Sequence, residues 1–166
     1  MAPLMEQTHG LWLGWPGDAL PGEPEGRKRL MREWEQEHGY VAVEIPAKVS
    51  RSFYEGYAND TLWPLLHGFP TRVVFAPESW SAYRDANERF AEAVLSRARK
   101  GDLIWAHDYQ LLLVPGMIRE RAPHARIGFF LHIPFPSSDV FRILPEREPL
   151  LRGLLGADSL AFQTLG

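Results

Sequence analysis

Leu103-Ile104-Trp105-Ala106-His107-Asp108-Tyr109 and, further on, Ile127-Gly128-Phe129-Phe130-Leu131-His132-Ile133-Pro134-Phe135-Pro136 are apolar runs that end in ionisable residues. Leu103–Ala106 and Ile127–Leu131 have the length and apolar continuity of buried parallel strands covered on both faces. Val114–Arg121, between them, has helical character. This strand–helix–strand unit belongs to an α/β fold. In open α/β sheets, ligands bind outside the carboxyl ends of the strands. His107 and Asp108 stand at one such end and His132 at the other, so polar groups converge on one crevice.

Working outward, Pro77–Lys100 reads as a helix that feeds the first of these strands. Trp80, Tyr83, Asn87, Phe90, Ala91, Val94 and Leu95 recur on one face. Ser79 is the expected N-cap, Arg97, Arg99 and Lys100 oppose the negative end of the dipole, and Gly101 suits the C′ position. Leu11–Trp15 and Tyr40–Ile45 read as strands flanking a polar helix, Arg27–His38, that stops at Gly39. Residues 1–9 read as an unstructured tail and Pro16–Gly26 as an exposed loop. Ser50–Asn59 has mixed periodicity, and Ser52-x-x-Glu55 fits a capping box. Leu62–His67 reads as helical. Ser137 or Ser138 caps a short helix through Phe141, Pro145–Leu155 is amphipathic and stops at Gly156, and Ser159–Gln163 begins a further strand.

Composition narrows the function classes. At 166 residues the chain can bury a core of its own. A net charge of −3 gives no electrostatic case for nucleic acid. The absence of cysteine excludes disulfides, thiolate catalysis and Cys-based zinc sites. No apolar run approaches membrane-spanning length and Met1–Gly10 lacks a signal-peptide pattern, so a cytoplasmic protein with no membrane partner is expected. Six Trp and five Tyr, several beside polar residues, suit a carbohydrate site, where flat rings pack on pyranose C–H faces.

Asp108 carries two readings: a carboxylate accepting from two sugar hydroxyls, or a structural cap on the following turn. His132 either donates to a substrate hydroxyl or developing oxyanion, or is a satisfied core histidine. A metal held by His107, His132 and Asp108 has little support, because no second carboxylate or His-x-x-x-His helix accompanies them. Trp15, Tyr54, Tyr57 and Trp63 either wall a pocket or pack in the core, and Asn59 and Asp60 could equally form a turn. There is no Gly-x-Gly-x-x-Gly, Walker loop or Gly-x-Ser-x-Gly.

Taken together, Asp102-Leu103-Ile104-Trp105-Ala106-His107-Asp108-Tyr109-Gln110-Leu111-Leu112 and Arg126 through Pro136 closely resemble the trehalose-6-phosphate synthases, which are family 20 retaining glycosyltransferases. The likeness continues through Leu144-Pro145, Leu150-Leu151, Ala157-Asp158 and Phe162-Gln163-Thr164. Upstream, Gly10-Leu11-Trp12-Leu13-Gly14-Trp15-Pro16-Gly17, Tyr54 and Leu62-Trp63-Pro64 keep the family's order.

The resemblance implies a Rossmann-like parallel sheet, the incomplete N-terminal, acceptor-side lobe of a GT-B fold over residues 10–166. It implies transfer of glucose from UDP-glucose to glucose 6-phosphate with retention, with no metal and no cofactor. Trp15, Tyr54, Trp63 and Asp108 are the implied acceptor-site residues, with Tyr54 at the acceptor phosphate. His132 is the implied donor contact, and Asp108 and His132 are the implied catalytic residues. The reaction is front-face, with the leaving diphosphate helping to deprotonate the attacking hydroxyl, which agrees with the lack of a carboxylate pair.

The family's opening strand, Asn-Arg turn and Gly-Gly loop are not seen before Gly10, and its second lobe is not seen after Gly166. An inactive, aggregation-prone fragment with an unpaired sheet edge is therefore expected. The full enzyme leaves room for a homo-oligomer. The alternatives are a non-catalytic sugar-phosphate-binding or regulatory subunit, and a related synthase such as glucosylglycerol-phosphate synthase.

Overall fold

The structure, a computed structural model, describes residues 7–17, 20 and 22–163. Met1–Glu6 of the expected tail, Asp18, Ala19 and Pro21 of the expected loop, and Thr164 lie outside the described residues. Gln7 and Thr8 are helical and His9 turns with φ 49°, so the tail is structured where it is described. The chain forms two compact units, Met1–Ala47 and Lys48–Gly166.

The first unit is a strand–helix–strand: β1 (Trp12–Gly14), α1 (Pro24–His38) and β2 (Tyr40–Ala42), with β1 and β2 parallel and Leu13 opposite Val41. α1 starts earlier than the sequence reading placed it. Pro24 is not loop but the first helical residue, where its missing N–H costs nothing. The Glu23 carboxylate accepts from the amides of Glu25 and Gly26. Gly39 ends the helix at φ 67°, its amide donating back to the Glu35 carbonyl.

The second unit opens with continuous helical chain. α2 (Ala47–Arg51) runs into a π-helix (Ser52–Leu62) and then α3 (Trp63–Leu66). Ser52 is therefore not the Ser of a capping box. A cap needs an extended backbone, and Arg51 before it is already right-handed helical, while Glu55 pairs with Arg51 at 2.9 Å. The π winding explains the mixed periodicity. Buried Phe53, Tyr57 and Thr61, with Ala58 and Leu62 beside them, recur in steps of four, wider than the α repeat. Gly56 lets this wide helix sit close to the next one, since a Cβ there would stand 2.5 Å from Ser79 Oγ.

α4 (Pro77–Leu95) buries Tyr83, Asn87, Phe90 and Ala91 as expected, but both its ends differ from expectation. Ala76 is the residue in extended conformation at the amino end, and Ser79 lies buried inside the first turn. The helix stops at Leu95 rather than Lys100. Asp102 accepts from the Arg99 amide at 2.7 Å to form a separate turn, and Gly101 takes φ 97° within it.

The chain continues as β3 (Leu103–His107), α5 (Val114–Arg121), β4 (Arg126–Leu131), α6 (Ser138–Phe141), α7 (Arg147–Leu154) and β5 (Ser159–Phe162). Ser137 takes the N-cap position of α6 without a side-chain bond. The three strands are parallel in the order β3-β4-β5. One expectation fails here, that β3 and β4 are covered on both faces. Ala106, Ile127, Phe129 and Leu131 are buried, while Leu103 and Trp105, which point the other way along the pleat, are exposed.

The helical side is closed by glycine contacts and one arginine. A Cβ on Gly153 would lie 2.5 Å from the Leu112 carbonyl oxygen, and one on Gly156 would lie 2.5 Å from Gly116 Cα. Arg119 donates to the carbonyls of Gly156, Pro123 and Ala125 and to the Asp158 carboxylate, which also accepts from the Ile127 amide. Both partnerships hold the Asp158 carboxyl below the usual carboxylate range. Helix propensity alone would make Gly153→Ala stabilising by about 0.5–1 kcal/mol. The backbone contact reverses the sign: we expect a loss of about 1–3 kcal/mol by overpacking. Gly128→Ala, whose Cβ would meet only Trp105 Cδ1 at 3.5 Å, should be tolerated. Urea unfolding of both variants checks this, and equal stabilities would contradict it.

Candidate functional site

β3 ends at His107, and the backbone turns at Asp108 with φ 69° and ψ 167°. This region is essentially reserved for glycine, and an L-residue in it stores about 1–3 kcal/mol of strain. The Asp108 amide donates to the Phe130 carbonyl at 2.8 Å, which extends the β3–β4 ladder past the strand. Its carbonyl accepts from the Leu111 amide, and Oδ1 accepts from the Tyr109 amide at 3.0 Å. Asp108 is thus a turn cap through Oδ1. Oδ2 has no hydrogen-bond donor among the described residues and is available to a ligand.

The equivalent end of β4 delivers His132. Nδ1 of His107 lies 3.1 Å from Nε2 of His132, and the rings are stacked within 18° of parallel. Trp105 flanks the first ring at 4.8 Å and Phe130 the second at 4.5 Å between centroids. His132 is exposed rather than a core histidine. Burial holds the His107 imidazole below its ordinary pKa, the neighbouring His132 adds to this, and Asp108 opposes it. Among the described residues no group of three His, Asp or Glu side chains is placed to hold a metal ion.

The sequence patterns do not mark Tyr109 as a site residue and leave Asn59 open between a site residue and a turn former. Tyr109 is buried, and its hydroxyl donates to Asn59 Oδ1 at 2.9 Å, tying the π-helix to the turn after Asp108. Burial pushes this phenol up to about 12, with Tyr54 and Asp108 contributing. Tyr54 therefore lies within electrostatic reach of Tyr109, and it is 40 % exposed. Asn59 follows Tyr54 by five residues, the interval that a π-helix, and not an α-helix, brings to one side. Trp63 is equally exposed and packs its ring 4.1 Å from that of His67. Tyr57 does not join these residues. It is buried against Trp80 and Tyr83, and its hydroxyl donates to Glu146. Trp15 is half-buried in the first unit, just past the carboxyl end of β1.

His107, through its burial, should make stability depend on pH. Because the folded-state pKa of His107 lies below 6.5, the unfolded chain binds more protons as pH falls below that value. Stability is therefore retained above about pH 6.5 and declines as pH drops through the folded-state pKa. Thermal unfolding between about pH 5 and 8 should show this decline, and His107→Gln should flatten it. Parallel curves for the two proteins would contradict the lowered pKa of His107.

Residues 1–166 match the family described as Glycosyltransferase family 20. The chain is 43 % identical over 170 residues to an α,α-trehalose-phosphate synthase [UDP-forming] of Aspergillus niger, covering 99 % of this chain and 35 % of that protein. It superposes on the crystal structure of the corresponding UDP-forming synthase from Burkholderia vietnamiensis with a TM-score of 0.82 at 32 % identity, covering 98 % of this chain and 36 % of that one. An E. coli trehalose-6-phosphate protein bound with UDP-2-fluoro glucose matches with a TM-score of 0.80 at 30 % identity over 97 % of this chain and 35 % of its own. The chain spans about a third of the length of these relatives. The parallel α/β architecture is that of the first GT-B lobe in these structures. With the family matched over residues 1–166, the chain belongs to glycosyltransferase family 20.

Proposed function

We propose that this chain forms the acceptor side of a UDP-forming α,α-trehalose-phosphate synthase, which transfers glucose from UDP-glucose to glucose 6-phosphate. The observation that carries this reading is Asp108. A strained carboxylate stands at a strand end with one oxygen fixed in the turn and the other available, beside an exposed His132. The Asp108 carboxylate accepts from hydroxyls of the acceptor sugar, a charge-assisted contact. Tyr54 donates to its phosphate, and the exposed ring of Trp63 offers a flat apolar face to the sugar. His132 contacts the donor glucose.

The bond between the donor anomeric carbon and the UDP oxygen breaks. The acceptor hydroxyl oxygen bonds that carbon from the same face, and its proton passes to the departing diphosphate. The reaction so drawn needs neither metal nor cofactor. The basic groups that neutralise the diphosphate belong, by resemblance, to the second lobe.

The 166-residue chain alone should therefore release no UDP from UDP-glucose in the presence of glucose 6-phosphate, because electrostatic stabilisation of the leaving group is a large catalytic contribution. A coupled UDP assay checks this, and turnover abolished by Asp108→Ala would overturn it. Joined to the second lobe of a complete synthase, Asp108→Asn should weaken acceptor use by about 1.5–3 kcal/mol and leave donor KM unchanged. His132→Ala should lower kcat with donor saturating. Kinetics with these effects exchanged would refute the assigned roles.

A further inference from the structure

Asp108 is fixed on its amino side by the sheet, through its amide on Phe130. What fixes it on the other side is a pair of polar residues on the apolar face of α4. Tyr83 and Asn87 are both fully buried, yet neither lacks partners. The Tyr83 hydroxyl donates to the Tyr109 carbonyl at 2.7 Å and accepts from the Leu112 amide at 3.1 Å. The Asn87 carboxamide nitrogen donates to the Gln110 carbonyl at 2.9 Å, and its oxygen accepts from the Leu113 amide at 3.1 Å. Two side chains thus satisfy four backbone groups in the five residues that follow Asp108. Burial raises the Tyr83 phenol, so it remains a donor.

Resting on the acceptor-site reading of Asp108, we infer that Tyr83 and Asn87 are positioning residues for it: their side chains clamp residues 109–113 and thereby impose the φ of 69° that presents the Asp108 carboxylate to the acceptor. The argument is one of closure. The Phe130 bond holds the Asp108 amide itself and the α4 clamp holds the residues that follow, and only a left-handed backbone joins them. An L-residue released from either constraint would relax to negative φ. The clamp is also what those backbone groups require, because Tyr109–Leu111 is a single 3-10 turn, too short to pair its own carbonyls or the amides of Leu112 and Leu113.

The test uses the 166-residue chain. Tyr83→Phe removes one oxygen and keeps the ring in the core. Nuclear magnetic resonance then reads the intraresidue amide–Hα Overhauser effect of residue 108, which is strong at positive φ because the two protons are eclipsed. The same spectra follow a titration with glucose 6-phosphate. We expect the unsubstituted chain to show the strong effect, and folded Tyr83→Phe to lose it and to bind glucose 6-phosphate on the order of tenfold more weakly. If Tyr83→Phe does not fold, Asn87→Ala gives the same two readings.

A folded variant that keeps the Overhauser effect overturns the inference, whatever its affinity. So does one that loses the effect at unchanged affinity while Asp108→Ala abolishes binding. If instead Asp108→Ala leaves the response to glucose 6-phosphate unaltered, the acceptor role of Asp108 fails, and the Overhauser effect alone still decides whether the clamp sets its backbone.

Discussion

Pairing of backbone polar groups where β3 leaves the sheet is the constraint on which this structure turns. Inside the strand, the ladder satisfies amides and carbonyls in regular order. Past His107 the chain must descend into α5 through a single 3-10 turn, Tyr109–Leu111, and a connection buried at Tyr109, Leu112 and Leu113. Water is not at hand there, so each amide and carbonyl needs a protein partner. Phe130 supplies one from the sheet, Asp108 serves the Tyr109 amide with its side chain and the Leu111 amide with its carbonyl, and Tyr83 and Asn87 of α4 pair four more groups. The aspartate at the junction is strained because its surroundings are not.

That constraint reaches into the other elements. Tyr83 can meet the turn only if α4 lies against it, and the aromatic cluster of Phe53, Tyr57 and Trp80 around the Tyr83 ring sets that distance. Two of these rings come from the π-helix, whose close approach to α4 depends on Gly56 opposite Ser79. From the opposite side, the missing side chain of Gly153 leaves room for the Leu112 carbonyl. Tyr109, the first residue of the turn, then spends its hydroxyl on Asn59 of the same π-helix. Elements far apart in sequence therefore share one small polar knot beneath an apolar surface.

What was legible in the sequence follows from this arrangement. The strands and α5 declare themselves by local patterns, and so does the placing of Asp108 and His132 at strand ends, because a polar residue closing an apolar run is a local signal. The π-helix was illegible because the α repeat is the template against which periodicity is judged, and Phe53, Tyr57 and Thr61 fall between templates. Ser52 and Ser79 imitated caps because sequence gives residue type without backbone angle. The open face around Leu103 and Trp105 could not be foreseen from apolar runs alone, which look alike whether one face or two are covered. Asn87 did leave a trace, as a carboxamide in the apolar stripe of α4. A buried carboxamide is costly unless paired, so its presence marks a partner to be found.

The polar groups at the strand ends differ in the kind of recognition they offer. In the histidine pair the close Nδ1 and Nε2 can bond only while at least one imidazole is neutral, because two imidazolium rings both donate. Burial holds His107 on the neutral side, so the pair keeps a donor and an acceptor facing each other instead of two cations. That suits an uncharged sugar better than a phosphate, which would draw protons onto both rings. Asp108, with Oδ1 accepting in the turn, leaves Oδ2 to accept from a hydroxyl donor. On the proposed function, phosphate recognition falls to residues away from this edge, and Tyr54 is exposed on the π-helix. On that proposal, sugar at the strand ends and phosphate toward the helix is the polarity that this placement of charge permits.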